Sequence, residues 1–138
     1  MRHVGLDLGS KTLGIALSDS SNTIASKLTT INFANNDFQY AIEELFVILK
    51  TIEFKCFVLG LPKNMDGSLG FQAQTSIRFK ELLEAKFKKP VILWDERLTS
   101  KMAESMMITA DLSRKKRKTK IDFVAATIIL QSYLDSRK

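Results

Sequence analysis

A chain of 138 residues with 45% hydrophobic and 26% charged residues is long enough for one folded domain over residues 1–138. Its longest apolar run, Phe123 to Leu130, is far too short to span a bilayer, and a strand-like pattern begins at once, so we expect neither a membrane span nor a signal peptide. The net charge of +6 favours a polyanionic partner, and the single Cys56, expected to be a buried core thiol, suits a cytoplasmic protein.

Three strands are predicted at the start of the chain. Arg2 to Leu8 and Thr12 to Ser18 flank the turn Gly9-Ser10-Lys11, which predicts a hairpin. A third strand is predicted from Ile24 to Ile31, after the turn residue Asn22. The chain should therefore open with a three-strand meander.

Helices and strands alternate in the rest of the chain. Apolar residues recur at helical spacing from Phe38 to Leu49, after the capping residue types Asn35 to Asp37. The later predicted elements are a strand at Lys55 to Leu59, a helix from about Gln72 to Lys86, a strand at Val91 to Trp94, and helices at about Ser100 to Thr109 and Lys120 to Asp135. The order βββαβαβαα predicts an α/β fold with a mixed five-stranded sheet flanked by helices.

Three acidic residues fall where such a sheet forms a site. Asp7 ends strand one, Glu96 follows strand five, and Asp122 lies in the first turn of the last helix. Converging carboxylates cannot all stay ionised without cations, so this pattern predicts Mg²⁺ or Mn²⁺, and two ions could activate water for phosphodiester hydrolysis. Each acid also has an ordinary structural alternative. Asp7 could form the turn before Gly9, and Glu96 could pair with Arg97. Asp122 could be a first-turn charge that the helix dipole stabilises.

Strand register leaves Asp95 open as an alternative to Glu96, because neighbouring residues of a strand point to opposite faces. Other polar residues are expected to be structural: Asp66 in a turn, His3 in a strand or at the surface, and Trp94 in the core.

Four sequence blocks resemble the successive signature blocks of the YqgF/RuvX family, and together they span essentially the whole chain. The blocks are "GLDLGSKTLGIALSD", "VLGLPKNMDGSLG", "VILWDERLTS" and "KRKTKIDFVAATIILQSYLD". The resemblance implies an RNase H-like fold related to RuvC-type resolvases, with an acidic, metal-dependent nuclease site. It also implies a nucleic-acid substrate, either the 16S rRNA precursor at its 5′ end or the Holliday junction. The family's acids fall on Asp7, Glu96 and Asp122.

Two departures from the family pattern affect the site. Many members carry Arg where this chain has Thr12, so only Lys11 remains there as a cation. A RuvC-type resolvase places an acid at the end of strand four, where this chain reads Gly60-Leu61-Pro62. We therefore expect Glu96 to supply that acid from strand five.

Substrate contacts are predicted from a basic run immediately before Asp122. Six of its seven residues are cations, and we expect a loop that holds phosphates by charge; a solvated loop without function is the alternative. The predicted substrate-binding residues are Lys11, Lys63, Asn64, Arg97, Arg114, Lys115, Lys116, Arg117, Lys118 and Lys120.

Three classes of function are compatible with these patterns. A metal-dependent nuclease is favoured because all three acids are present, which argues against an idle nucleic-acid-binding module. The segment "DLGSKTLG" also resembles the phosphate-binding hairpin of sugar kinases and actin-like ATPases, but those folds need two such halves. The sequence leaves three questions open. They are whether the substrate is RNA or DNA, whether the action is that of an endo- or an exonuclease, and whether the protein is a monomer or a homodimer.

Overall fold

A computed structural model of the chain describes residues 1–63, 66–96 and 114–137, with residues 114–124 described by their backbone alone. The strands Arg2–Leu8 and Phe54–Leu61 are buried over most of their length, as expected for strands covered on both faces. The helix Phe38–Leu49 buries Ala41, Ile42, Leu45 and Leu49, which lie on one side at helical spacing. The elements described are β1 (Arg2–Leu8), β2 (Thr12–Ser18), β3 (Ala25–Asn32), α1 (Phe38–Leu49), β4 (Phe54–Leu61), α2 (Phe71–Phe87), β5 (Val91–Asp95) and α3 (Arg114–Ser136).

β1 lies at the centre of one mixed sheet with the strand order β3-β2-β1-β4-β5. The meander β1-β2-β3 is antiparallel, whereas β1, β4 and β5 run parallel to one another. The three parallel strands therefore end at the same edge of the sheet. In open α/β sheets this carboxyl edge is where sites form.

The two faces of the sheet carry separate cores, because successive side chains of a strand point to opposite faces. One core lies between the sheet and the helices α1 and α2, and its members include Val4, Leu6, Ile15, Leu45, Leu59 and Phe79. The other core lies under α3, and its members include Ala16, Val58, Ile129, Leu130 and Tyr133. The predicted α/β fold with helices on both sides of a five-stranded sheet is confirmed.

Side-chain hydrogen bonds fix α3 across the sheet. Gln131 accepts from the backbone N–H of Ala25 at 2.8 Å and donates to the carbonyl of Thr23 at 2.9 Å. On the other side of the helix, the indole Nε1 of Trp94 donates to the hydroxyl of Ser132 at 3.0 Å. These hydrogen bonds hold α3 at both β3 and β5 and so fix its distance from the strands between them.

Apart from the start of the last helix, the described strand and helix boundaries differ from the predicted ones by at most two residues. β3 begins one residue later than predicted, β4 extends to Phe54 and Leu61, and β5 includes Asp95. The predicted helix at Ser100 to Thr109 lies outside the described residues. Such shifts are expected, because pairing with a neighbouring strand decides where a strand ends.

The predicted start of the last helix is wrong. This helix begins at Arg114, so the basic run is helical rather than a loop. Lys and Arg are good helix formers, and the run contains neither Gly nor Pro, so nothing in it breaks a helix. Among the described residues, no helix is long and apolar enough to cross a membrane.

Gly5 should be required for the close approach of α3 to β1. A Cβ atom at position 5 would lie 2.6 Å from the Cβ of Leu130 and 3.0 Å from the carbonyl oxygen of Ala126. We expect Gly5→Ala to lower the free energy of unfolding by about 1–3 kcal/mol, because the helix must shift to relieve this overpacking. Urea unfolding measures this loss. The matched variant Gly14→Ala, whose Cβ would meet Ala126 at an ordinary 3.5 Å, should change it by roughly 0.5 kcal/mol or less. Equal losses in the two variants would contradict this packing.

Candidate active site

Asp7 lies within β1 and not in the turn that follows. It pairs with Gly14 of β2, and the Asp7 Cβ lies 3.7 Å from the position that a Cβ at Gly14 would take. The Cβ of Ala126 in α3 lies 3.5 Å from the same point, so the half-buried Asp7 lies on the α3 face of the sheet. The alternative role of Asp7 as a turn residue is therefore wrong.

Glu96 follows the last residue of β5, and its side chain extends over β4. Its carboxyl carbon lies 2.9 Å, and its Cγ 3.0 Å, from the position that a Cβ at Gly60 would take. The charge of Asp7 raises the pKa of Glu96, which requires the two carboxyl groups to be close. The structure therefore brings Asp7 and Glu96 together at the carboxyl edge of the sheet, across the intervening strand.

The alternation of β5 separates Glu96 from Asp95. Leu93 packs against the core under α1 and α2, whereas Trp94 packs against the core under α3. Asp95 lies two residues after Leu93 and therefore on the same face of β5 as Leu93. The Glu96 side chain lies on the opposite face, under α3 and beside Gly60. Of the two acids, Glu96 is therefore the one that shares a face with Asp7.

Burial and like charge raise the pKa of both carboxyl groups. Desolvation, then the charge of Asp7, then that of Asp95 raise the pKa of Glu96 to about 7. Desolvation also raises the pKa of Asp7. At neutral pH the second negative charge of this pair forms only at a cost in free energy.

A small cavity of about 100 Å³ adjoins Asp7 on the side away from Glu96. Its polar lining residues besides Asp7 are Thr12 of β2 and Lys27 and Thr30 of β3. Thr30 pairs with Gly14, which in turn pairs with Asp7, so the three residues form one row across the sheet. Sequence reasoning missed Lys27 and Thr30, because only the register of β3 reveals that they face the same cavity as Asp7.

Two predicted substrate-binding residues lie at the same edge of the sheet as the acids. Lys11 is exposed in the turn after β1, and the half-buried Lys63 follows β4 by two residues. Asn64 and Arg97 lie outside the described residues. The six predicted cations of the basic run lie in the first two turns of α3 by backbone, and their side chains are outside the described part.

Asp122 lies in α3, one helical turn before Ala126. Ala126 packs against Gly5 and Gly14 of the sheet, and residues four apart lie on the same side of a helix. The backbone therefore places position 122 on the side of α3 that faces the sheet. Its side chain lies outside the described residues.

The residues expected to be structural have ordinary surroundings. Cys56 is a buried free thiol, as predicted. Asp66 accepts hydrogen bonds from the backbone N–H and hydroxyl of Ser68 at 2.9 and 2.6 Å, which is a turn contact. His3 is buried in β1, with its Nδ1 3.0 Å from the side-chain oxygen of Asn22.

The chemistry of Asp7 and Glu96 fits a divalent cation. Two half-buried carboxyl groups with raised pKa values become stable as anions when a cation lies between them. Among the described side chains, no group of three or more His, Cys, Asp or Glu residues forms a metal site. A third carboxylate would therefore have to come from a residue whose side chain is not described. Position 122, on the side of α3 that faces the sheet, is one such residue.

The fold and this edge site define a class of protein. The structure is similar to "T. thermophilus RuvC in complex with Holliday junction substrate", with a TM-score of 0.67, 11% identity and coverage of 99% of this chain and 95% of that one. It is also similar to a ROK hexokinase from Thermus thermophilus, with a TM-score of 0.51 and 21% identity, over 75% of this chain but only 38% of the kinase. The chain thus has the RNase H-like fold of RuvC, and it matches only part of the kinase.

The chain belongs to the RuvX family. The family profile, described as "Holliday junction resolvase", matches residues 1–136. A relative from Geobacillus sp. (strain WCH70), named "Putative pre-16S rRNA nuclease", is 51% identical over 138 residues and covers 100% of both chains. The predicted family resemblance is confirmed.

The raised pKa of Glu96 should make the stability of the metal-free protein depend on pH. A carboxyl group whose folded pKa lies above its ordinary value near 4.5 stabilises the fold below that pH, and this contribution is lost as the pH rises through about 7. Glu96→Gln should therefore gain about 1–2 kcal/mol over the wild type between pH 4.5 and 8, at 1.36 kcal/mol per pKa unit reduced for partial exposure. Chemical unfolding in chelating buffer measures this gain.

A matched variant provides the control for this pH dependence. Asp95→Asn removes only the third of the three causes that raise the pKa of Glu96, so its gain should be smaller and of the same sign. A stability difference between Glu96→Gln and the wild type that stays flat with pH would contradict the shift.

Proposed function

We propose that this chain is a metal-dependent nuclease that hydrolyses phosphodiester bonds during 5′-end processing of the 16S rRNA precursor. We further propose that Asp7, Glu96 and Asp122 bind its metal ions, which would be Mg²⁺ or Mn²⁺. The observation that carries the proposal is the convergence of Asp7 and Glu96 over Gly60 at the carboxyl edge of the sheet. The name of the Geobacillus relative supports the choice of substrate.

The charges of the site explain why a cation is needed. A phosphodiester is an anion, and two carboxylates repel it unless cations lie between them. When bound, two divalent ions would activate a water molecule and stabilise the leaving oxygen. Before binding, Glu96 is partly protonated near neutral pH, so metal binding should release a proton from its carboxyl group.

The strand pairing of the sheet would position the metal-binding carboxylate, and nearby lysines would position the substrate. The backbone of Asp7 is fixed by its pairing with Gly14 of β2 and by the pairing of the preceding residue with β4, so its carboxyl group needs little rearrangement. Lys27 lines the cavity beside it and could hold a phosphate of the bound strand. Lys11 and Lys63, at the same edge, would hold phosphates further along the chain of the substrate.

A second candidate function is the cleavage of branched DNA as a Holliday junction resolvase. The description of the matching family and the similarity to RuvC favour it. Phosphate contacts carry no base or strand-type information, so the same edge site could cut either substrate. The substrates themselves must therefore be compared directly.

The test is cleavage by the purified chain with Mn²⁺ of two labelled substrates, a 16S rRNA precursor carrying its 5′ extension and a four-way DNA junction. We expect the precursor to be cut near the mature 5′ end, and Asp7→Asn to abolish this cleavage because it removes a metal-binding carboxylate. Cutting of the junction alone, at symmetric positions, would select the resolvase function instead. If Asp7→Asn cleaved its substrate as fast as the wild type, this result would contradict the proposed site.

A thermal melt with and without Mn²⁺ separates folding from catalysis in the same variant. Asp7→Asn should be as stable as the wild type or more stable without metal, because the substitution removes like-charge repulsion. The wild type should gain stability with Mn²⁺, whereas the variant should gain much less. Equal gains would show that Asp7 binds no metal.

The basic start of α3 should contribute to substrate affinity according to helix position. Positions 115 and 118 lie two turns and one turn before Asp122 on one side of the helix, whereas positions 116 and 120 lie on another side. If Lys115 and Lys118 contact phosphates, replacing both with Ala should flatten the log–log salt dependence of binding by about 1.4–1.8, at roughly 0.7–0.9 per contact. Binding titrations at several salt concentrations measure this slope.

The matched control is the double variant Lys116→Ala and Lys120→Ala, which removes the same charge from the same helix. We expect it to change the slope less than the first pair does. Equal changes would indicate a diffuse effect of net charge rather than contacts beside the site.

A further inference from the structure

The two carboxyl groups of the site come from strands that are not neighbours. Asp7 belongs to β1 and Glu96 follows β5, and β4 lies between these strands. Neighbouring strands are about 4.8 Å apart, so the two backbones are separated by roughly 10 Å. Carboxylates that share a metal ion each bind it at about 2.0–2.6 Å. The side chain of Glu96 must therefore cross β4 to reach Asp7.

Gly60 is the residue of β4 at the crossing point. The parallel pairing of β1 with β4 runs one-to-one through Leu6 and Leu59, and its continuation places Gly60 beside Asp7. On its other side, Gly60 pairs with Trp94 of β5. The Glu96 carboxyl carbon lies over this position, 2.9 Å from where a Cβ would be. That distance is shorter than real carbon atoms tolerate.

The backbone conformation of Gly60 gives no other reason for a glycine. Its φ angle lies outside the left-handed region, so an L-residue could adopt the same conformation. Glycine inside a strand weakens it through chain entropy and the loss of packing, and it marks places where another group approaches closely. Here the approaching groups are the Glu96 side chain and the Cδ1 of Ile129, which lies 2.7 Å from the same point.

We propose that Gly60 is a positioning residue, whose missing side chain lets Glu96 pass over β4 to meet Asp7. The inference rests on the proposed function of the site. It adds that the geometry of the acidic pair depends on a residue without a side chain in the strand between the two acids. Any side chain at position 60 would hold Glu96 away from Asp7.

The test isolates the contact with Glu96 from the contact with Ile129. Ile129→Val removes the Cδ1 atom, so in that background a methyl group at position 60 meets only Glu96 at short distance. Gly60→Ala in this background should lower the cleavage rate about 10²-fold, as expected for a displaced catalytic group. It should also remove most of the thermal stabilisation by Mn²⁺ measured without substrate.

A double-mutant cycle in the metal-free protein measures the contact without reference to activity. In the same Ile129→Val background, Gly60→Ala should lower the melting temperature when Glu96 is present and lower it much less when Glu96→Ala is added, because neither close side-chain contact then remains. The matched control is Gly5→Ala, whose Cβ meets α3 and not Glu96, so its effect should be the same with and without Glu96→Ala.

The outcomes separate this inference from the proposed function. Full Mn²⁺ stabilisation and full cleavage in Gly60→Ala, or additive effects of Gly60→Ala and Glu96→Ala, would overturn the role of Gly60 alone. Normal cleavage and Mn²⁺ stabilisation in Glu96→Ala would instead overturn the proposed metal site, whatever the cycle shows for position 60.

Discussion

The repulsion between two half-buried carboxyl groups is the constraint on which the rest of this structure depends. Asp7 and Glu96 meet on the α3 face of the sheet, and burial together with the neighbouring charge raises the pKa of Glu96 to about 7. A fold keeps such a pair only when other packing offsets its cost. Here two cores of apolar side chains, one on each face of the sheet, provide that packing.

Small residues give the acidic pair its geometry. Gly5 and Gly14 let α3 lie close to β1 and β2, and Gly60 leaves the space over β4 that Glu96 fills. The whole chain carries a net charge of +6, and Lys27 lines the cavity beside Asp7. A basic chain suits a phosphate backbone as partner, and the proposed metal ions would bind that backbone while the carboxylates hold the ions.

The sequence predicted the fold because the order of strands and helices and the four family blocks agree. It could also place Asp7 and Glu96 at one edge, because the carboxyl ends of parallel strands meet there. It left Asp95 open, since only the pairing of β5 with β4 fixes which acid faces α3. The basic run was predicted as a loop because a run of like charges has no apolar periodicity, yet its residues are good helix formers. The roles of Gly60 and Lys27 depend on side chains from other strands, which spacing along the chain does not reveal.

The central claim is that Asp7 and Glu96 together bind a divalent metal ion, with the Glu96 side chain reaching across β4. Anomalous X-ray scattering from crystals soaked in Mn²⁺ tests it most directly, because the signal locates the ion without any assumption about activity. The account predicts anomalous density within about 2.0–2.6 Å of a carboxylate oxygen of both Asp7 and Glu96, above Gly60. Density bound to Asp95 without Glu96, or no density at the carboxyl edge of β1 at saturating Mn²⁺, would contradict it.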